Sequence, residues 1–181
     1  MRLKCSLLLY FAIASLVACR TVRRTPTKLG VSLLTDSLEV SVHHRGIGYM
    51  ADIGFTLANN SRSPISRSGC GGPGSPDIEK KVDGRWVPAY YQVYLLCRTI
   101  PDFFWDAGAH IHQSVHFGAV EKGHNTSPEL LIDSIDGVYR LKLSFTQGLV
   151  ADAKHVRGIT VISNEFRMRL AASPAPTSNT R

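Results

Sequence analysis

Apolar and polar residues alternate with a period of two through most of residues 31–170. Leu38, Val40 and Val42 alternate with Ser37, Glu39, Ser41 and His43. Tyr49, Ala51, Ile53, Phe55 and Leu57 share one phase, with Asp52 and Thr56 opposite. Ile111, Val115 and Phe117 form a third set, broken by Gln113. Tyr139, Leu141, Leu143 and Phe145 alternate with Arg140, Lys142 and Ser144, and Ile159, Val161, Phe166, Met168 and Leu170 close the series. A strand sends successive side chains to opposite faces, so each run predicts a half-buried strand. Asp83-Gly84 separates Ile78–Val82 from Arg85–Ala89 and predicts a type I′ hairpin, whose two central residues both need positive φ. Gly46, Asn59-Asn60-Ser61, Gly123 and Asp136-Gly137 mark further reversals. No stretch of this region sustains a helical period, although Ser127–Ile135 has room for a short helical turn. Seven or so strands in about 140 residues predict an all-β antiparallel sandwich.

The N-terminus has a different pattern. Arg2 and Lys4 precede an apolar run from Leu7 to Ala18 that only Ser15 interrupts. A basic n-region and a short h-region predict a signal peptide over 1–18, and the run is too short to span a bilayer comfortably. It ends in Leu16-Val17-Ala18-Cys19. This stretch resembles the lipobox of bacterial lipoproteins. The resemblance implies cleavage before Cys19, a diacylglycerol on its thiol and an acylated new N-terminus. Two or more acyl chains anchor lastingly where one does not. The competing reading is a plain signal peptide, or an uncleaved anchor, with a coincidental cysteine. Arg20 stands where lipoproteins kept at an inner membrane often carry Asp, so in a two-membrane cell the resemblance leans to the outer membrane. Residues 19–30 read as a flexible basic tether, and 171–181 as a disordered Pro/Ser/Ala tail; neither has the apolar content to order itself.

Trimming the ends redistributes the charge. The whole chain carries a formal +7, yet residues 31–170 hold 14 basic and 14 acidic side chains. The excess belongs to the ends. A neutral domain argues against nucleic-acid binding. The basic tether suits an anionic lipid surface, or is a solvated spacer. Of four cysteines, Cys5 leaves with the signal peptide and Cys19 takes the lipid. Cys70 and Cys97 remain, an even pair in an oxidising compartment, and are expected to form a disulfide. On the chain-entropy view that bond contributes roughly 3–4 kcal/mol. The alternatives are free thiols or a metal site, and no second Cys-x-x-Cys supports metal.

Asp136-Gly137-Val138-Tyr139-Arg140-Leu141 resembles the Asp-x-Gly-x-Tyr stretch at the tyrosine corner of immunoglobulin-like domains. The resemblance implies that the Tyr139 hydroxyl bonds back to nearby backbone, pinning the connection between strands E and F. Leu141 occupies the second-cysteine position, so the inter-sheet disulfide of antibody domains is not implied. A longer order of motifs runs from Tyr49–Asn59 with Asn-x-Ser, through Cys-Gly-Gly, Asp-Gly-x-Trp and a second Cys, to Gly-x-Tyr-Arg-Leu and Ser-Asn-Glu-Phe. It resembles uncharacterised bacterial Ig-like lipoproteins and, more weakly, Ig-like proteinase-inhibitor domains.

Candidate chemistry is sparse. His110, His112 and His116 fall on one face of a strand, the solvent side, with His43-His44 available from another strand. Imidazoles suit Zn²⁺ or Cu²⁺; exposed histidines are also commonly just solvated. Gly69 to Gly74 spells G-x-G-x-x-G, but Pro73 and Pro76 exclude the helix N-terminus that a phosphate cradle requires. Phe103-Phe104-Trp105 stands in an expected loop, as a partner anchor if exposed or a plug for the sandwich end if buried. No Gly-x-Ser-x-Gly is present, and Asp133 and Asp136 are expected to serve turns. The reading is a non-enzymatic, cofactor-free envelope module at the cell or outer membrane. Its partners are membrane lipid through Cys19 and an unidentified envelope protein or ligand, with no nucleic acid. One alternative is a proteinase inhibitor using a protruding loop at Ser61–Pro76 or Arg98–Gly108. Another is an envelope metal-binding protein using the histidines.

Overall fold

The computed structural model describes residues 30–68, 75–90, 102–124, 128–147 and 157–172. The expected signal peptide, Cys19, the tether through residue 29, Cys70, Cys97 and tail residues 173–181 lie outside the described residues. The described residues form strands β1 (Val31–Thr35), β2 (Glu39–Arg45), β3 (Gly48–Asn59), β4 (Ile65–Ser68), β5 (Asp77–Val82), β6 (Arg85–Pro88), β7 (Asp102–Trp105), β8 (His110–Val120), β9 (Gly137–Gln147), β10 (Arg157–Ile162) and β11 (Phe166–Leu170).

Two long alternating strands organise two layers. β3 is antiparallel to β8 from Gly48 to Ala58. Its other edge takes β2 at Gly48–Met50 and β1 at Phe55–Asn59. β9 takes β11 and β10 along one edge and β5 and β4 along the other. β6 extends β5, and β7 extends β4. With β1/β2 as strand A, β3 as B, β5 as C, β8 as E, β9 as F and β10/β11 as G, an A-B-E sheet faces a C-F-G sheet. That is the immunoglobulin-like sandwich. The fold is all-β and Ig-like.

The alternation maps onto burial. Ala51, Ile53, Phe55 and Leu57 of β3 and Val115, Phe117 and Ala119 of β8 face Tyr139, Leu141, Leu143 and Phe145 of β9 across the core. Burying a side chain of this size contributes about 1.5–3 kcal/mol. Trp105 meets Phe145 edge-on at 5.4 Å, and Tyr139 stacks on Phe166 at 6.1 Å.

The sandwich is not wholly antiparallel. Glu39–Val42 region residues of β2 run parallel to Arg167–Leu170 of β11, while His43–Arg45 turn to pair antiparallel with β3. One strand thus serves both layers and joins them into a single curled sheet. The chain leaves β1 for β2 at Asp36, whose N–H donates to Gly54 O at 3.0 Å. A Cβ on Gly54 would strike the Asp36 carboxylate, so the glycine leaves room for that side chain over β3.

The break between β10 and β11 keeps its ladder. Ser163 N donates to Leu141 O, and Leu141 N donates to Ser163 Oγ, both at 2.9 Å. Asn164 then reaches the other layer: it accepts from Thr35 N at 2.8 Å and donates to Thr35 Oγ1 at 2.7 Å.

Three expectations change. The described part of Ser127–Ile135 is not a helical turn; Glu129 and Leu130 form bridges to Val120 and Tyr90 instead. Phe103-Phe104-Trp105 is not a loop but strand β7, because its backbone pairs with β4. The same pairing places Ile65–Ser68 and Asp102–Trp105, parts of the two expected protruding loops, in a ladder against each other.

Candidate functional site

Asp83 and Gly84 have φ of 49° and 77°, and the hairpin they close sets β6 beside β5. Lys81 is paired with Trp86, and Glu79 with both Pro88 of β6 and Arg140 of β9. The result is a buried carboxylate on the outer face of the second sheet. Glu79 Oε2 accepts from Arg140 Nε at 2.7 Å and Nη2 at 2.6 Å, and Oε1 accepts from Lys142 Nζ at 2.7 Å. The Arg140 guanidinium lies 4.3 Å from the Trp86 ring centroid. Burial pushes the Glu79 carboxyl pKa up, but the hydrogen bonds and charges of Lys142 and Arg140 outweigh this and hold it below its ordinary value. This triad ties β5 to β9 and spends its charges internally.

Lys80, next along β5, points the other way. It is buried, and its ammonium donates to Ser134 O. Its pKa is lowered because burial disfavours the charged form, against the opposing pull of Asp136 and Asp133. Beside it, the Tyr139 hydroxyl donates to Ile135 O at 2.6 Å. Asp136 Oδ1 accepts from Leu170 N at 2.9 Å, tying the segment before β9 to β11. A Cβ on Gly137 would lie 2.6 Å from Lys80 Cε, so the glycine leaves space for the anchored lysine. Asp136, Gly137 and Tyr139 therefore form one structural unit.

The first sheet carries the histidines. His110, His112 and His116 share the exposed outer face of β8, spread along it rather than gathered. His116 Nδ1 lies 3.0 Å from Asp52 Oδ1 on β3, and His112 Nδ1 lies 3.6 Å from Asp36 Oδ2. Ser41, His43, Arg45, Met50, Asp52 and His116 line an open groove of about 440 Å³. Such exposed pairs are worth roughly 0–1 kcal/mol. At the end of this sheet Glu121 receives the Tyr49 hydroxyl at 3.2 Å and lies 3.0 Å from His44 Nε2. Among the described residues no group of three or more His, Cys, Asp or Glu side chains is placed to hold a metal ion.

The aromatic triplet divides by strand phase. Trp105 is buried, Phe103 packs against the core, and Phe104 is 58% exposed. The turn beside β7 hangs on Asn59, which is buried. Its Nδ2 donates to Ser63 O, Trp105 O and Asp106 O, and its Oδ1 accepts from Ser61 N and Ser61 Oγ. The sequence marks Asn59-Asn60-Ser61 only as a turn, because the Trp105 and Asp106 carbonyls that make Asn59 a hub lie more than 40 residues away. Glu79 is equally silent in the sequence, because nothing local shows which cations stand across from it.

No family model matches the chain, and no curated relative matches it. Among solved structures, similarity is found to the ASH/PapD-like domain (PapD-like domain 7) of human CEP192, at 12% identity and a TM-score of 0.32, covering 95% of this chain and 100% of that one. A beta-glucosidase from Listeria innocua, solved with gluconolactone, is similar at 14% identity and a TM-score of 0.24, over 75% of this chain and 16% of that one. The strand order described above, rather than either likeness, carries the Ig-like assignment.

Proposed function

We propose that the protein is a lipid-anchored component of the cell envelope whose Ig-like domain is a non-catalytic binding or structural module. The observation that carries this reading is Leu16-Val17-Ala18-Cys19 at the end of a basic-then-apolar leader. Supporting it, charges that pair across strands serve the fold: Glu79 holds Arg140 and Lys142, and Asp136 holds the Leu170 N–H. The exposed outer faces are left for contact, with the His43–His116 groove the polar candidate and Phe104 the apolar one.

The test is the intact mass and N-terminal peptide of protein extracted from membranes. Residues 1–18 should be missing and Cys19 should carry a diacylglycerol thioether, and Cys19→Ser should move the protein out of the membrane fraction. A mature chain that starts elsewhere, with an unmodified Cys19, overturns the reading.

A further inference from the structure

We propose that the end of the sandwich where the chain emerges from its tether lies against the bilayer, with the Phe104 ring seated at the headgroup boundary. This rests on the lipid-anchored reading above. A single exposed phenyl group needs no partner by itself; its position is what matters here. Gly30 opens the domain, and a Cβ there would lie 3.0 Å from Ser61 N, so the entering chain packs on the Asn60–Ser61 turn. Val31 then pairs with Asn59. Asn59 is the hub that receives the Gly108 N–H at 2.7 Å, donates its own N–H to Ala109 O at 2.8 Å, and holds the Trp105 and Asp106 carbonyls. Gly30, where the described chain begins, and the end of β7 therefore share one pole of the fold.

Phe104 is the residue of β7 that strand phase forces outward, since Phe103 and Trp105 face the core. It is more exposed than any other large hydrophobic among the described residues. Ile47, Val82, Leu131 and Leu170 lie at strand ends and turns of the opposite pole: beyond β2, at the end of β5, in the β8–β9 connection and at the end of β11, while Ile162, ending β10, lies partway along β9, paired with Lys142. Exposed Arg62 sits in the turn at the tether pole. From Cys19 to Gly30 the chain can extend about 36–40 Å, so the anchor alone would leave the domain free to tumble. Arg20, Arg23, Arg24 and Lys28 within that span favour anionic headgroups and draw this pole inward. Apolar side chains such as Phe are favoured at the boundary between headgroups and acyl chains. The occupant of the Phe104 surface is thus a lipid surface.

The test uses full-length protein extracted from membranes and reconstituted into phosphatidylglycerol–phosphatidylethanolamine vesicles. A cyano-phenylalanine probe is placed at position 104 or, separately, at position 131. Lipids brominated in the upper acyl chain should quench the probe at 104 and leave the one at 131 bright. Phe104→Ser should keep the protein on vesicles through its lipid but lose hydrogen-exchange protection in the Asn59–Ser63 turn. Vesicle-bound protein with an unquenched probe at 104, or with quenching at 131 instead, overturns the proposal and leaves the anchor standing. Protein that does not stay on vesicles at all overturns the anchor reading itself.

Discussion

The Tyr139 hydroxyl donates to the Ile135 carbonyl at 2.6 Å, inside the core and four residues back along the chain. The bond closes the entry to β9, the central strand of the second sheet. Leu131 N bonds Ala89 O at 3.0 Å and Ser134 O receives Lys80. The connection from β8 to β9 is therefore fastened at several points, and Tyr139 holds its innermost one.

Removing that hydroxyl leaves a buried carbonyl without its donor. Tyr139→Phe is expected to destabilise the domain by about 1–3 kcal/mol. Urea unfolding followed by far-UV circular dichroism measures it. A change indistinguishable from zero would show that Ile135 O finds another donor.

The same substitution should alter the alkaline limb of stability. Burial, aided by the Asp136 charge, raises the Tyr139 pKa well above its ordinary value of 10.0. Above pH 10 the unfolded chain releases a proton that the folded chain keeps, so stability falls as pH rises. Lys80, whose folded pKa is lowered, acts in the opposite direction as pH approaches its unfolded value. The difference between wild type and Tyr139→Phe isolates the tyrosine contribution, and the variant should lose stability less steeply from pH 9.5 to about 11.

Glu79 governs the acid limb. Its folded pKa lies below the ordinary 4.5, so its contribution is complete above that value and is lost as pH falls through the folded one. Glu79→Gln is expected to cost about 1–3 kcal/mol at pH 7, since Arg140 and Lys142 lose a charged acceptor but keep some access to water. Thermal melts from pH 7 to pH 2 should converge for the two proteins at the acid end. Parallel curves would mean the carboxylate is not held in its charged form.

Asn59 serves five contacts from a buried site. Asn59→Ala strips donors from the Trp105 and Asp106 carbonyls together and is expected to cost at least about 2 kcal/mol. Hydrogen exchange should rise first at Ser61–Ser63 and Gly108–Ala109. Uniform loss of protection over the whole domain would instead mark Asn59 as part of the global core.

Gly84 sits at φ 77° with open space around its Cα, so only backbone strain opposes a side chain. Gly84→Ala is expected to cost about 1 kcal/mol, whereas Gly84→Asn should cost less because Asn tolerates this conformation. Equal losses for both, by chemical denaturation, would argue that the turn relaxes out of type I′.

Much of the frame can be read from local pattern. Strand β9 is visible because every second residue from Tyr139 to Phe145 is apolar, and burial of one face requires that pattern whatever the partner strand is. The β5–β6 turn is visible because Asp-Gly tolerates positive φ at both positions, a property of two residues alone. Tyr139 is visible through a short motif whose hydrogen bond spans only four residues.

Other features depend on register between distant strands, which no local window contains. The parallel pairing of Met168 with Val40 joins residues far apart in the chain, and β2 alternation is the same for either direction. Glu79 sits in a mostly polar strand, Asp77-Ile78-Glu79-Lys80-Lys81-Val82, where it reads like any solvent-facing acid; the pairing with Arg140 and the stacking of Trp86 on that guanidinium make it a buried ion. The even spacing of His110, His112 and His116 shows that they share a face, while Asp52 approaches His116 because β3 lies in one register against β8, and Asp36 approaches His112 because its segment crosses β3 at Gly54. The Phe103-Phe104-Trp105 run shows the same division. Three adjacent aromatics announce apolar contact, but β4 pairing with β7 determines that Trp105 enters the core and Phe104 faces out. Side-chain periodicity is a property of the strand itself, whereas the partner across the ladder is chosen by the packing of the whole sandwich.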